Sequence, residues 1–124
     1  MSVNLMALIM VIIQIESSGN DLAIGDDGLA FGCLQMHSAY VQDAAQYAKA
    51  DWVHEDAFDR ETSIDIFIAY MSRYATKERL GREVTAEDIA RIHNGGPNGW
   101  KKSATDAYWD KVRKNIIDSK LAKK

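Results

Sequence analysis

The sequence predicts a mostly helical α+β domain with one small β-hairpin or loop insertion near its start. Three observations carry that expectation. Apolar residues recur at helical spacing along most of the chain. A polar, Gly-rich stretch, Ser17 to Phe31, interrupts them and contains Asp27-Gly28, a dipeptide of hairpin turns. There is a single proline, and no repeat, linker or low-complexity segment. At 124 residues, 47% hydrophobic and 27% charged, residues 1–124 suit one domain around one core.

The elements follow in order. Residues 3–16 predict a helix. Leu5 to Ile15 is nearly all apolar, so it is expected to run through the middle of the domain, buried on nearly every side. The run is too short to span a bilayer. The polar insertion comes next, and helical spacing resumes from Gln35 to Ala50 through Tyr40, Val41, Ala44, Ala45 and Ala48. Residues 61–77 form an amphipathic helix with Ile64, Phe67, Ile68, Met71 and Ala75 on one stripe, and Gly81 as the stop beyond it. Thr85-Ala-Glu-Asp88 reads as a capping box opening a short helix to Ile92. Asn94-Gly-Gly-Pro-Asn-Gly99 reads as a turn, because its run of Gly and Pro suits no regular element. Ser103-Ala-Thr-Asp106 is a second capping signature. It opens a last helix with Tyr108, Val112 and Ile116 on one face.

The net charge of −3 is unevenly spread: residues 101–124 carry 8 basic and 3 acidic side chains. A basic final helix with a tail at about 118–124 suits either a polyanion or a solvated surface. No nucleic-acid motif accompanies it, and no nucleic-acid partner is expected. The single cysteine, Cys33, excludes an intrachain disulfide. Cys33-x-x-x-His37 has a metal-like spacing, but with only His54 and His93 besides, the ligand count is too low for zinc. Cys33 reads as a buried small hydrophobe, and neither metal nor cofactor is expected.

Glu16 closes an apolar run, and Asp26 and Asp27 follow in a polar turn. Two carboxylates in contrasting surroundings are the minimal apparatus for cutting a glycosidic bond. Apolar surroundings and the negative end of a helix dipole favour the protonated form of Glu16, as a general acid requires. The plainer alternative is a solvent-facing Glu at a helix end. Asp26 and Asp27 read equally well as turn formers. His93 and Asn94 donate and accept hydrogen bonds, which suits sugar hydroxyls and N-acetyl groups. Gly95 lets a sugar approach the backbone closely. The alternative is that they cap helices and brace a turn.

Taken together, Glu16-Ser17, Asp26-x-Gly28, Gly32-x-x-Gln35, Tyr70-Met71-x-Arg73-Tyr74, Ala90-Arg-Ile-His-Asn-Gly-Gly-Pro97 and Tyr108-Trp109 resemble the invertebrate-type, destabilase-like lysozymes. They occur in family order over most of the chain. The resemblance implies a lysozyme-like fold with the insertion after the catalytic glutamate. It implies that Glu16 is the general acid and Asp26 the second carboxylate. The stretch from Gly28 to Gln35 is one residue shorter than in the family, which keeps Asp27 as an alternative to Asp26. Ser17, Gln35, His37, His93, Asn94 and Gly95 are the candidate substrate-binding residues. With one cysteine, the chain looks more like bacterial or phage-borne members than the cysteine-rich animal ones.

The activity so implied is hydrolysis of the β-1,4 bond between N-acetylmuramic acid and N-acetylglucosamine in peptidoglycan. Chitooligosaccharides would be further ligands, and the protein would act as a monomer. One alternative is a lytic transglycosylase, which uses Glu16 alone and leaves 1,6-anhydro products. Another is a peptidoglycan-binding module without turnover. Isopeptide cleavage, known for some members, is not specified by these residues. The first residues lack a basic leader and a cleavage site, so no signal peptide is expected. The expected location is cytoplasmic as made, or the wall by way of a phage or mobile-element route.

Overall fold

A computed structural model describes residues 4–122, and the side chains of residues 4–117; the basic tail at about 118–124 falls outside those described side chains. The chain forms two compact units, one of Glu16–Arg73 and one of Met1–Ile15 with Tyr74–Lys124. Helix α1 (Leu5–Ser17) opens under a cap, the Asn4 Oδ1 accepting from the Ala7 N–H at 3.1 Å. Its burial is narrower than the sequence suggests. Leu8, Ile9, Ile12 and Ile13 are buried, whereas Met6 and Met10 stay about half exposed. Spacing explains the difference: positions 8, 9, 12 and 13 share one helix face, and the apolar residues at 6 and 10 lie off it. Each side chain fully buried on that face contributes about 1.5–3 kcal/mol.

In the Glu16–Arg73 unit, β1 (Ile24–Gly25) pairs antiparallel with β2 (Ala30–Phe31), so the insertion is a β-hairpin. Phe31 continues into a bridge with Met36, exchanging N–H···O bonds of 3.0 Å both ways. Helix α2 (Ser38–Ala48) therefore starts three residues later than the pattern predicts. Gln35 adopts φ 51° and Met36 is committed to the bridge, so neither is helical. Phe31 stacks on His54 at 3.7 Å and on Phe58 at 4.6 Å, which fastens β2 to the 3-10 turn His54–Phe58.

Helix α3 (Arg60–Tyr74) buries Ser63, Ile66, Phe67, Ala69, Tyr70 and Met71. The buried stripe is thus rotated from the expected one: Ile64 is half-buried, Ile68 is exposed, and Ala75 lies beyond the helix. Arg60 Nε and Nη2 donate to Asp21 Oδ1 and to the Gly19 carbonyl, each at 2.7 Å. Arg73 reaches the Asp43 carboxylate on α2. Two arginines of α3 thus fix the loop after α1 and the next helix. Cys33, Leu34, Met36, Val41, Ala44, Ile66 and Phe67 are core residues of this unit.

In the second unit, α4 (Lys77–Leu80) is capped by the Thr76 hydroxyl, and Gly81 at φ 78° stops α4 rather than α3. The capping box at Thr85 forms as expected, with Asp88 Oδ2 accepting from the Thr85 N–H at 2.9 Å and Thr85 Oγ1 from the Asp88 N–H at 3.2 Å. Helix α5 (Ala86–Gly95) runs three residues past Ile92, so Asn94 and Gly95 are helical and the turn begins at Gly96. Gly96, at φ 87°, sends its N–H back to the Ile92 carbonyl at 2.9 Å, a closure that favours glycine. Ser103 sits inside a 3-10 turn, Ser103–Thr105, and not at the cap of α6 (Asp106–Ala122). Val112 is buried, and Tyr108 and Ile116 are half-buried. No helix among the described residues is long and apolar enough to cross a membrane.

Candidate active site

Glu16 is half-buried in the last turn of α1. The next residue pins that turn, because Ser17 Oγ donates to the Cys33 carbonyl at 2.8 Å. Helices α2 and α3 supply an aromatic pair beside Glu16: Tyr40 and Tyr70 stack at 3.8 Å with planes 8° apart. Burial pushes the Tyr40 phenol well above its ordinary value, and the Tyr70 phenol and the Glu16 carboxylate push it the same way. Tyr40 therefore stays a neutral phenol beside Glu16. The sequence placed Tyr40 only on a helix face. Its neighbours come from helices remote in sequence, so no local signal marked it.

The hairpin tip carries the other carboxylates. Asp26, Asp27 and Gly28 hold φ of 50°, 55° and 91°, three successive left-handed residues. The Leu29 N–H closes the tip by bonding to the Gly25 and Asp26 carbonyls, both at 3.1 Å. Aspartate tolerates this region better than most residues, yet each such position carries strain. Both side chains are exposed. Asp26 Oδ2 lies 2.8 Å from His37 Nε2, where α2 begins.

Gln35 lies behind the tip, half-buried, with its Nε2 amide within 3.0–3.4 Å of the carbonyls of Ala23, Ala30 and Gly32. These carbonyls belong to both sides of the hairpin, so the side chain ties the two together. Gly25 makes room for it, since a Cβ there would run into the Gln35 side-chain amide. Cys33 is fully buried; burial raises its thiol above the ordinary value, against a lesser opposite pull from the Ser63 hydroxyl and Arg60.

The structure thus gathers Glu16, Ser17, Asp26, Asp27, Gln35 and His37 in the Glu16–Arg73 unit, and brings Asp26 and His37 into direct contact. His93, Asn94 and Gly95 belong to the other unit, in the last turns of α5. His93 is buried, Asn94 is exposed, and the Gly95 carbonyl accepts from Lys102 Nζ at 2.9 Å. Among the described residues, no group of three or more His, Cys, Asp or Glu side chains is placed to hold a metal ion.

The destabilase family model matches residues 7–115, nearly the whole described chain. Invertebrate-type lysozyme 6 of Caenorhabditis elegans is 32% identical over 79% of this chain and 77% of its own length. The invertebrate-type lysozyme of Ruditapes philippinarum is 37% identical over 69% of this chain and 60% of its own. Among solved structures, Tapes japonica lysozyme superposes with a TM-score of 0.71 at 29% identity, with 86% of both chains covered. The inhibitor-bound lysozyme from Meretrix lusoria gives a TM-score of 0.73 at 29% identity and the same coverage.

Proposed function

The chain belongs to the destabilase family, and from that premise we propose that it is a muramidase. It hydrolyses the β-1,4 bond between N-acetylmuramic acid and N-acetylglucosamine in peptidoglycan. The observation that carries this reading is the pairing, within one unit, of a half-buried glutamate beside two stacked tyrosines with an exposed aspartate on a strained hairpin tip. These are unlike environments for two carboxyl groups, and unlike environments let one act as acid and the other as base or nucleophile.

In the proposed reaction the Glu16 carboxyl gives its proton to the departing glycosidic oxygen as the C–O bond breaks. The Asp26 carboxylate attacks the anomeric carbon or stabilises the oxocarbenium ion. Glu16, now ionised, takes a proton from the incoming water, whose oxygen attacks that carbon, displaces the Asp26 carboxylate and leaves the original configuration. The stacked Tyr40 and Tyr70 rings put apolar surface beside Glu16, which favours its protonated form. We assign the second role to Asp26, with Asp27 as the alternative, on the resemblance of Asp26-x-Gly28 to the family's pattern. His93, Asn94 and Gly95 are further sugar-contact candidates, to be tested separately, with His93 limited by its burial.

Mass spectrometry of muropeptides released from purified walls tests the reaction. Hydrolysis leaves reducing N-acetylmuramic acid ends. Products one water lighter, with 1,6-anhydro ends, would replace this reading with a transglycosylase that needs Glu16 alone. Retention of the protein on walls with no sugar released would leave only a binding module.

A further inference from the structure

We propose that His37 is a positioning residue for Asp26, fixing the plane and rotamer of the attacking carboxylate through the 2.8 Å contact between Nε2 and Oδ2. The inference rests on the role given to Asp26 above. Asp26 has a demanding task and a poor local setting for it. Its side chain is 68% exposed and its backbone is left-handed, at the tip of a hairpin with two residues in each strand. An exposed carboxylate on so short a ribbon samples several rotamers unless something holds it. Attack on an anomeric carbon needs a near-attack arrangement, and a misplacement of about 1 Å can cost about 100-fold in rate.

His37 is built to hold it. The residue before it, Met36, is tied to Phe31 by two backbone hydrogen bonds of 3.0 Å. The His37 carbonyl accepts from the Tyr40 and Val41 N–H groups, at 3.1 and 3.2 Å, in the first turn of α2. The His37 backbone is therefore anchored to a helix start and, through Met36, to the hairpin. An ionised carboxylate only accepts, so the proton of the contact sits on Nε2. That N–H is present in one neutral tautomer and in the imidazolium, so either form of the ring can make the contact. It also commits the donor to Asp26 rather than to a sugar hydroxyl. The contact reaches Asp26 and so separates it from its neighbour Asp27, which shares the turn and the left-handed backbone.

The test compares His37→Ala, His37→Gln and Asp26→Asn with the wild-type chain in steady-state cleavage of a soluble peptidoglycan fragment, alongside thermal melts. His37→Ala is expected to lower kcat about 10- to 100-fold with KM changed less than about twofold, at an unchanged melting temperature. His37→Gln, whose amide reaches the Nε2 position, is expected to recover most of the loss. A raised KM at unchanged kcat would make His37 a sugar contact, and wild-type kinetics in His37→Ala would remove its role; either overturns the proposal. Loss in both variants with a lowered melting temperature would make it a structural residue and would overturn it too. Asp26→Asn separates the two levels: full activity there defeats the reading of Asp26, whereas an inactive Asp26→Asn with an unaffected His37→Ala defeats only this inference. The side-chain 15N shifts of His37 report the contact without any turnover. They are expected to change in Asp26→Asn, and identical shifts would contradict the contact.

Discussion

Left-handed backbone is divided unevenly between the two units. Among the described residues, five non-glycine side chains sit at positive φ: Ser18, Asp26, Asp27, Gln35 and Lys49, all within Glu16–Arg73. In the unit that holds α5, positive φ falls only on Gly81 and Gly96, where it costs little. Ion pairs occur in both units. Near α5, the buried Asp88 carboxylate takes both Arg82 nitrogens at 2.6 and 2.8 Å. Arg91 joins Glu87, Asp106 and Thr105 Oγ1, with contacts of 2.7–2.9 Å. At the hairpin, two exposed carboxylates are held up on a strained tip and braced from behind by a neutral amide. Strain retained beside exposed acids points to chemistry.

The largest effect that would sharpen this contrast is expected at Asp88. Burial raises its carboxyl, but hydrogen bonds from Arg82 and Thr85 outweigh burial and leave it below the ordinary 3.8. Asp88→Ala removes the partner of a half-exposed Arg82 and the carboxylate half of the capping box, and is expected to destabilise the protein by about 1.5–3 kcal/mol. The sign with pH follows from the lowered value. The stabilisation is present above about pH 4 and is lost as pH falls through the folded value. Denaturant melts from pH 7 to pH 3 on wild type and Asp88→Ala check it, and the gap between the two should close at the acid end.

Next in size is Gln35→Ala, which removes the amide shared by the Ala23, Ala30 and Gly32 carbonyls. It is expected to cost about 1–3 kcal/mol by chemical denaturation, with a loss of kcat beyond what the unfolded fraction explains. Asp27→Gly relieves one left-handed aspartate and is expected to stabilise the protein by about 1 kcal/mol, while cleavage of walls is retained. A large loss of cleavage there would transfer the second catalytic role from Asp26 to Asp27. The smallest effect is chemical. Cys33, fully buried with its thiol raised, is expected to resist alkylation in the native protein and to react at once in denaturant, as intact mass will show.

What the sequence made legible was what is written within a few residues. The Thr85–Asp88 box, the hairpin at Asp27-Gly28 and the position of Glu16 at a helix end are set by neighbours in the chain. What it hid is set by residues far away. The stripe of α3 is rotated because Ser63 and Ile66 face the core, and a serine in a buried position breaks the apolar pattern. Helix α5 continues through Asn94 and Gly95 because Gly96, one residue later, makes the closing turn. Gly95 also leaves space for the Thr105 methyl, which a Cβ there would strike. In the candidate site, a glutamate ending a helix and aspartates in a turn were readable. The Gln35 brace, the Tyr40–Tyr70 stack and the His37 contact were not, because each joins segments that only the fold brings together.

The most direct test of the central claim is the rate at which Glu16→Gln solubilises purified peptidoglycan. The substitution keeps the shape of the side chain and removes its proton-donating acid. The rate is expected to fall by about 100- to 10,000-fold, with binding to the wall and the melting temperature close to wild type. A Glu16→Gln protein that clears walls at the wild-type rate would contradict the assignment of Glu16 as the acid that breaks the glycosidic bond.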